Sequence, residues 1–206
     1  MYIIDDTNVF TSSHLQQLSD FVERDLLSTD VDRCMVSGIV VTHERSDYDG
    51  LWSCQINRNS QEEVTSVECL IFLNTFYSLS PSQDGQIEEL KKVLAHEYGH
   101  HWTLSHLIRN HDFNYLTDRM PPQYYQLRGL EETLYTAFYT DKSESAWYKC
   151  DKEMIAEDYK FLFAPHPYNQ PHRIVEEAGA HIVDLNLQHP NESVRQFIEN
   201  MNTLIP

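Results

Sequence analysis

The chain has 206 residues and a formal net charge of −17, with 41% hydrophobic and 12% aromatic residues. This length and apolar content suit one domain with a buried core and exclude a disordered chain. The charge repels phosphate backbones and anionic lipid, which argues against nucleic acid and membranes as partners.

The opening "MYIIDDTNVF" has no basic n-region and carries two early aspartates, so no secretory signal is expected. No apolar run reaches the roughly 18 residues of a membrane span. The cysteines Cys34, Cys54, Cys69 and Cys150 are scattered, with no C-x-x-C pair. They read as reduced thiols in a cytoplasm, with two disulfides as the alternative if the protein is exported by another route.

Residues 12–27, "SSHLQQLSDFVERDLL", set Leu15, Leu18, Phe21, Val22 and Leu26 at a helical period, with Ser12 or Ser13 as cap. "CMVSGIVVTHE" (34–44) reads as a strand, "DYDG" as a turn, "LWSCQINR" as a second strand and "SVECLIFLN" (66–74) as a third. "SPSQDG" is loop chemistry. "QIEELKKVLAHEYGHHWTLSHLI" then predicts one long helix, with Asp84 as cap and Glu88 and Glu89 at the positive end of its dipole. Residues 110–126 read as irregular. Helical pattern returns near 128–140 and at 151–164, "DKEMIAEDYKFLFA", where Pro165 stops it. "HPYNQPH" is loop, and 173–188 and 192–204 are expected as two last helices.

The expected fold class is α+β in a single domain. An N-terminal lobe (about 1–108) holds a small mixed sheet and the long helix, and a mostly helical C-terminal lobe follows (about 109–206). A ligand would sit in the groove between them.

The long helix carries "HEYGHHWTLSH", His96 to His106. Residues four apart share a helix face, so His96 and His100 can hold one ion between them. Glu97 sits about 100° around the axis and can lean over the open side of the metal without ligating it. Two neutral imidazoles bind zinc, and the glutamate takes a proton from water: this is the chemistry of H-E-x-x-H. His101 falls in the arc of Ile87, Leu90, Leu94 and Tyr98, so it reads as a hydrogen-bonded core histidine. Trp102 reads as core or wall.

A catalytic zinc takes a third protein ligand. His106 stands at the last position of H-E-x-x-H-x-x-G-x-x-H, but Thr103 replaces the glycine that would turn the chain. If the helix continues, His106 lies roughly 9 Å further along and misses the metal. The rival is a carboxylate on 151–164. Its apolar arc is Met154, Ile155, Tyr159, Phe161 and Leu162, with Asp158 at the centre and Glu157 at the edge. Buried acids are costly unless paired or bound to metal. Glu157 is therefore expected to ligate the zinc. Asp158 would hydrogen-bond a ligand imidazole, or cap or pair structurally. Glu153, one turn earlier, is the reserve ligand, and His106 the alternative.

"HEYGH", its helix and the preceding strands resemble the zincin superfamily of zinc metallopeptidases. With Glu157 added, the pattern is similar to the gluzincin branch, whose third ligand is a glutamate on a later helix. Gluzincins commonly show Glu-x-x-x-Asp. Glu153 and Glu157 stand at that spacing, with a glutamate in second place, whereas Phe161 stands four after Glu157. The resemblance implies peptide-bond hydrolysis in a cleft below an edge strand, with one Zn²⁺ per chain and Glu97 as general base. "VECLIFLN" is the expected edge strand, pairing with an extended peptide or protein substrate. Oxyanion candidates are His166, Tyr168 and His172. Basic peptides would suit the acidic surface. The alternative is a zinc-binding interaction module on the same scaffold without peptidase activity.

Overall fold

The computed structural model describes residues 1–46, 48–137, 149–170, 173–176, 179–182 and 189–202. Strands β1 (Ile3–Asp5), β2 (Val36–Thr42), β3 (Gly50–Arg58) and β4 (Val64–Asn74) form a mixed sheet in the order β1-β2-β4-β3. β1, β2 and β4 are parallel, and β3 lies antiparallel at the edge. "VECLIFLN" is therefore an interior strand, and the edge beside it is "GLWSCQINR". Alternation fixes the inner face of β4, because Val67, Cys69, Ile71 and Leu73 are all buried. Three-residue β1 is too short to show a period in the sequence.

Six α-helices are described: α1 (Ser12–Asp20), α2 (Asp30–Met35), α3 (Gln83–His111), α4 (Pro122–Arg128), α5 (Asp151–Phe163) and α6 (Glu192–Glu199). Thr11, rather than Ser12 or Ser13, caps α1, which ends in one wide turn before Leu26 becomes extended. Ser82, not Asp84, caps α3 by accepting the Gly85 N–H at 3.1 Å. Asp84 instead meets His14 Nε2 at 3.0 Å. α4 falls inside the stretch expected to be irregular, because proline fits the first helical turn. Gly129 then ends it at a φ of 68°.

The expected helix at 173–188 is instead a hairpin where it is described, β5 (Arg173–Glu176) paired with β6 (Gly179–Ile182). β-Branched Ile174 and Val175 followed by a glycine favour strand pairing over a helical turn. The expected helix at 128–140 is not formed over 129–137, where Gly129 ends α4 and only a single 3-10 turn (Glu132–Leu134) precedes the bridge of Thr136 to Cys150. Residues 138–140 and 183–188 lie outside the described residues.

α3 packs on the inner face of the sheet with Ile87, Leu90, Leu94, Tyr98 and Trp102 buried, and α5 packs along α3. One hydrophobic core runs from Leu18 to Met201 and so joins both halves of the chain. Among the described residues no helix is long and apolar enough to cross a membrane.

Candidate metal centre

The histidine motif lies in the middle of α3, and the helix does not break after it. The Thr103 hydroxyl donates back to Gly99 O at 2.7 Å, and the Ser105 hydroxyl to His101 O. His96 and His100 therefore keep their shared face, which is turned to α5. Gly99, between them, lets α5 approach closely at Ala156. Ala156 in turn lies between Glu153 and Glu157, so the two helices present two histidines and two glutamates to each other.

Three of these groups converge. Glu153 Oε2 lies 2.9 Å from His96 Nε2 and 3.2 Å from His100 Nε2. One ligand atom from each of His96, His100 and Glu153 falls within 4.8 Å of the others, close enough to hold a metal ion. Burial would raise the Glu153 pKa, but the His100 and His96 rings hold it well below the usual carboxylate range. Burial would lower the His96 pKa, but Glu153 and Glu157 outweigh it and push the ring up to about 10. The carboxylates thus favour positive charge at this point.

The donor set fits zinc: two imidazole nitrogens and one carboxylate oxygen, with a fourth position left over. His100 Nδ1 is buried with no hydrogen-bond partner among the described residues, so Nε2 is this ring's anchored nitrogen.

Glu157 has the other task. Its Oε1 lies 2.7 Å from His96 Nδ1 and accepts from Lys160 Nζ at 2.6 Å. Glu157 is the expected third ligand and Glu153 the reserve. The geometry places Glu153, not Glu157, within reach of Nε2 of both His96 and His100, because α5 meets α3 one turn earlier than the apolar arc of α5 suggests. A carboxylate on Nδ1 favours a proton at that nitrogen, which would turn Nε2 to a metal. Sequence reasoning passed over Lys160, which is wholly buried. Its signal was its place three residues after Glu157, at ion-pair spacing on the helix.

Glu97 is buried, and its side chain lies under Gly50 at the start of edge strand β3. Buried Trp52 of β3 stacks on His100 with ring centroids 6.5 Å apart. Tyr115 meets Trp52 edge-on at 5.4 Å.

The remaining candidates lie elsewhere. His106 Nε2 sits 2.8 Å from Asp32 Oδ1, on the unbroken helix and away from the cluster. His101 Nε2 meets Asp32 O at 2.9 Å, and burial pushes its pKa down to about 4, so it is a neutral core histidine. Asp158 accepts from Arg128 Nε at 2.9 Å and from the Tyr124 hydroxyl at 2.8 Å, which is a structural pairing. Burial raises its pKa to about 6 against the pull of Arg128. The Tyr168 hydroxyl is held by Glu88, near the start of α3, and His166 is exposed on the following loop. His172 lies outside the described residues.

No family model matches the chain, and neither the curated proteins nor the solved structures compared with it contain a match.

Proposed function

We propose that the protein is a zinc-dependent metallopeptidase, with His96, His100 and Glu153 as metal ligands and Glu97 as general base. The observation that carries this reading is the convergence of His96 Nε2, His100 Nε2 and Glu153 Oε2. The α+β arrangement supports it: a mixed sheet over the motif helix with an antiparallel edge strand beside it. These parts agree with what the zincin resemblance of the sequence implies.

Zn²⁺ bound there would acidify a water and polarise the substrate carbonyl. Glu97 takes a proton from the attacking water onto its carboxylate and passes it to the leaving amine. Glu157 orients His96 through Nδ1. An extended peptide pairs with the free side of β3, which brings its carbonyl across Trp52 toward Glu97. The substrate is a peptide or protein, and the acidic surface suits basic ones.

A zinc-binding module without peptidase activity is the second reading. It is favoured by the burial of both histidines, 2% exposed for His96 and 8% for His100, since a structural zinc site is closed.

Elemental analysis of protein purified without chelator, with a fluorogenic peptide-library assay on wild type and Glu97→Gln, tests both. Near one zinc per chain, with hydrolysis abolished in Glu97→Gln, is the expected result. Zinc without hydrolysis moves the protein to the module. No zinc after reconstitution overturns the metal reading.

A further inference from the structure

Cys54 on β3 and Cys69 on β4 stand directly opposite each other in the antiparallel register. The Asn74 N–H donates to Asp49 O at 2.8 Å, which makes that pair a hydrogen-bonded one. The register then runs without a shift from Gly50 to Asn57. Hydrogen-bonded and non-hydrogen-bonded pairs alternate, so Cys54 and Cys69, an odd number of steps on, are a non-hydrogen-bonded pair. Such pairs hold their Cα atoms about 4.5 Å apart with side chains close together. That is the short end of the roughly 4.4–6.8 Å span of a disulfide. Both thiols point to the inner face: Cys69 is buried between Val67 and Ile71, and Cys54 is half-buried next to Trp52.

We propose that Cys54 and Cys69 are a site of reversible oxidation that closes a cross-strand disulfide when the protein meets a low-molecular-weight disulfide such as oxidised glutathione. The Cys54 thiolate attacks one glutathione sulfur and expels the first glutathione thiolate. The Cys69 sulfur then attacks the Cys54 sulfur and expels the second. The two thiol protons pass to the two glutathiones, and the protein loses two electrons. Burial pushes the Cys54 thiol up to about 11 and Cys69 higher still, so exchange quickens as pH rises.

The test incubates the full reduced chain with oxidised glutathione, blocks residual thiols with N-ethylmaleimide and maps peptides by mass spectrometry. A linked Cys54–Cys69 peptide is expected, reversed by reduced glutathione and retained in Cys34→Ser and in Cys150→Ser. Full alkylation of Cys54 and Cys69 across all glutathione ratios overturns the proposal. So does a stable glutathione adduct on Cys54 that Cys69 never resolves.

A different observation carries a second inference, which rests on the metal reading above. Lys160 Nζ and His96 Nδ1 share one oxygen, Glu157 Oε1, at 2.6 and 2.7 Å, with all three side chains buried. We infer that Lys160 is a positioning residue: by holding Glu157 Oε1, it fixes the carboxylate that meets His96 Nδ1 and so keeps Nε2 of that ring turned to Glu153 and a metal.

The test is a double-mutant cycle on zinc Kd, measured by competition with a chromophoric chelator, for wild type, Lys160→Met, Glu157→Gln and the double variant. Lys160→Met is expected to weaken binding about 10–100-fold, and to do nothing once Glu157 is Gln. The double variant leaves no buried unpaired charge, so it folds where Lys160→Met alone does not. In that case Lys160→Gln supplies the single-variant Kd. Equal Lys160 effects in both backgrounds, or none in either, overturn the inference. Absence of zinc binding by wild type overturns the metal reading itself.

Discussion

Gly99 and Ala156 bring α3 and α5 into backbone contact. A Cβ built on Gly99 would lie 2.7 Å from Ala156 O and 3.0 Å from Ala156 Cα. That contact lies between His96 and His100 on one helix and between Glu153 and Glu157 on the other. The convergence of His96, His100 and Glu153 therefore depends on a glycine outside the cluster.

Gly99→Ala tests this dependence. Alanine would gain about 1 kcal/mol in helix propensity. The added methyl meets backbone atoms, which yield less than a side chain, and overpacking of this kind costs about 1–3 kcal/mol. A lower urea midpoint and weaker zinc binding are expected together. A variant as stable as wild type with unchanged zinc Kd would show that the helices separate without cost.

The two glutamates of α5 should separate experimentally. Glu153→Gln is expected to lose bound zinc. Glu157→Gln is expected to bind one zinc at saturation with an affinity about 10–100-fold lower, because only the orientation of His96 suffers. His106→Ala should keep its zinc. Elemental analysis and chelator competition read all three, and the reverse pattern for the glutamates would return Glu157 to the ligand position.

Gly50 should report on Glu97. A Cβ there would lie 2.5 Å from Glu97 Oε1 and 2.4 Å from Val93 Cγ1. Val93 is stiff at its branched Cβ and Glu97 Cγ, at 2.8 Å, sits close to the helix backbone, so Gly50→Ala is expected to cost about 1–3 kcal/mol of stability. It displaces Glu97, the proposed general base, and a shift of about 1 Å in a reacting group can cost ~100-fold in rate. The expected result is intact zinc content with a large fall in kcat on a peptide substrate. An unchanged kcat would remove Glu97 from the position proposed for it.

Asp32 gives a pH-dependent stability. Burial alone would raise its pKa, but His106 and the Thr29 hydroxyl hold it below its ordinary value of 3.8. A carboxyl with a depressed folded-state pKa adds stability above its unfolded value and loses it as pH falls through the folded one. The stability gap between wild type and Asp32→Asn should therefore be full near neutral pH and close below about pH 4. Denaturant titrations over that range check it. A gap that widens on acidification would contradict the assignment of the charge.

Much of the site was legible in the sequence, because a helix is a local object. The spacing of His96 and His100 needs only the helical period to become a shared face. Thr103 in place of a glycine told that the helix runs on, and it does, leaving His106 with Asp32. His101 was likewise readable as core from its neighbours on the wheel.

The choice between Glu153 and Glu157 was not readable in this way. Both lie on one face of α5, and the apolar arc says only which way that face turns. Which turn meets His96 and His100 depends on how far the helices slide along each other, and the Gly99–Ala156 contact decides that. The same limit applied to the sheet. β4 shows its alternation in sequence, but its interior place follows from a register with β2 and β3 made across long stretches of chain. Local periodicity thus determined the motif, the helix that carries it and the α+β class. Tertiary packing alone decided which carboxylate joins His96 and His100, the edge strand beside them, and the pairing of Cys54 with Cys69, because each depends on contacts between segments that share no local period.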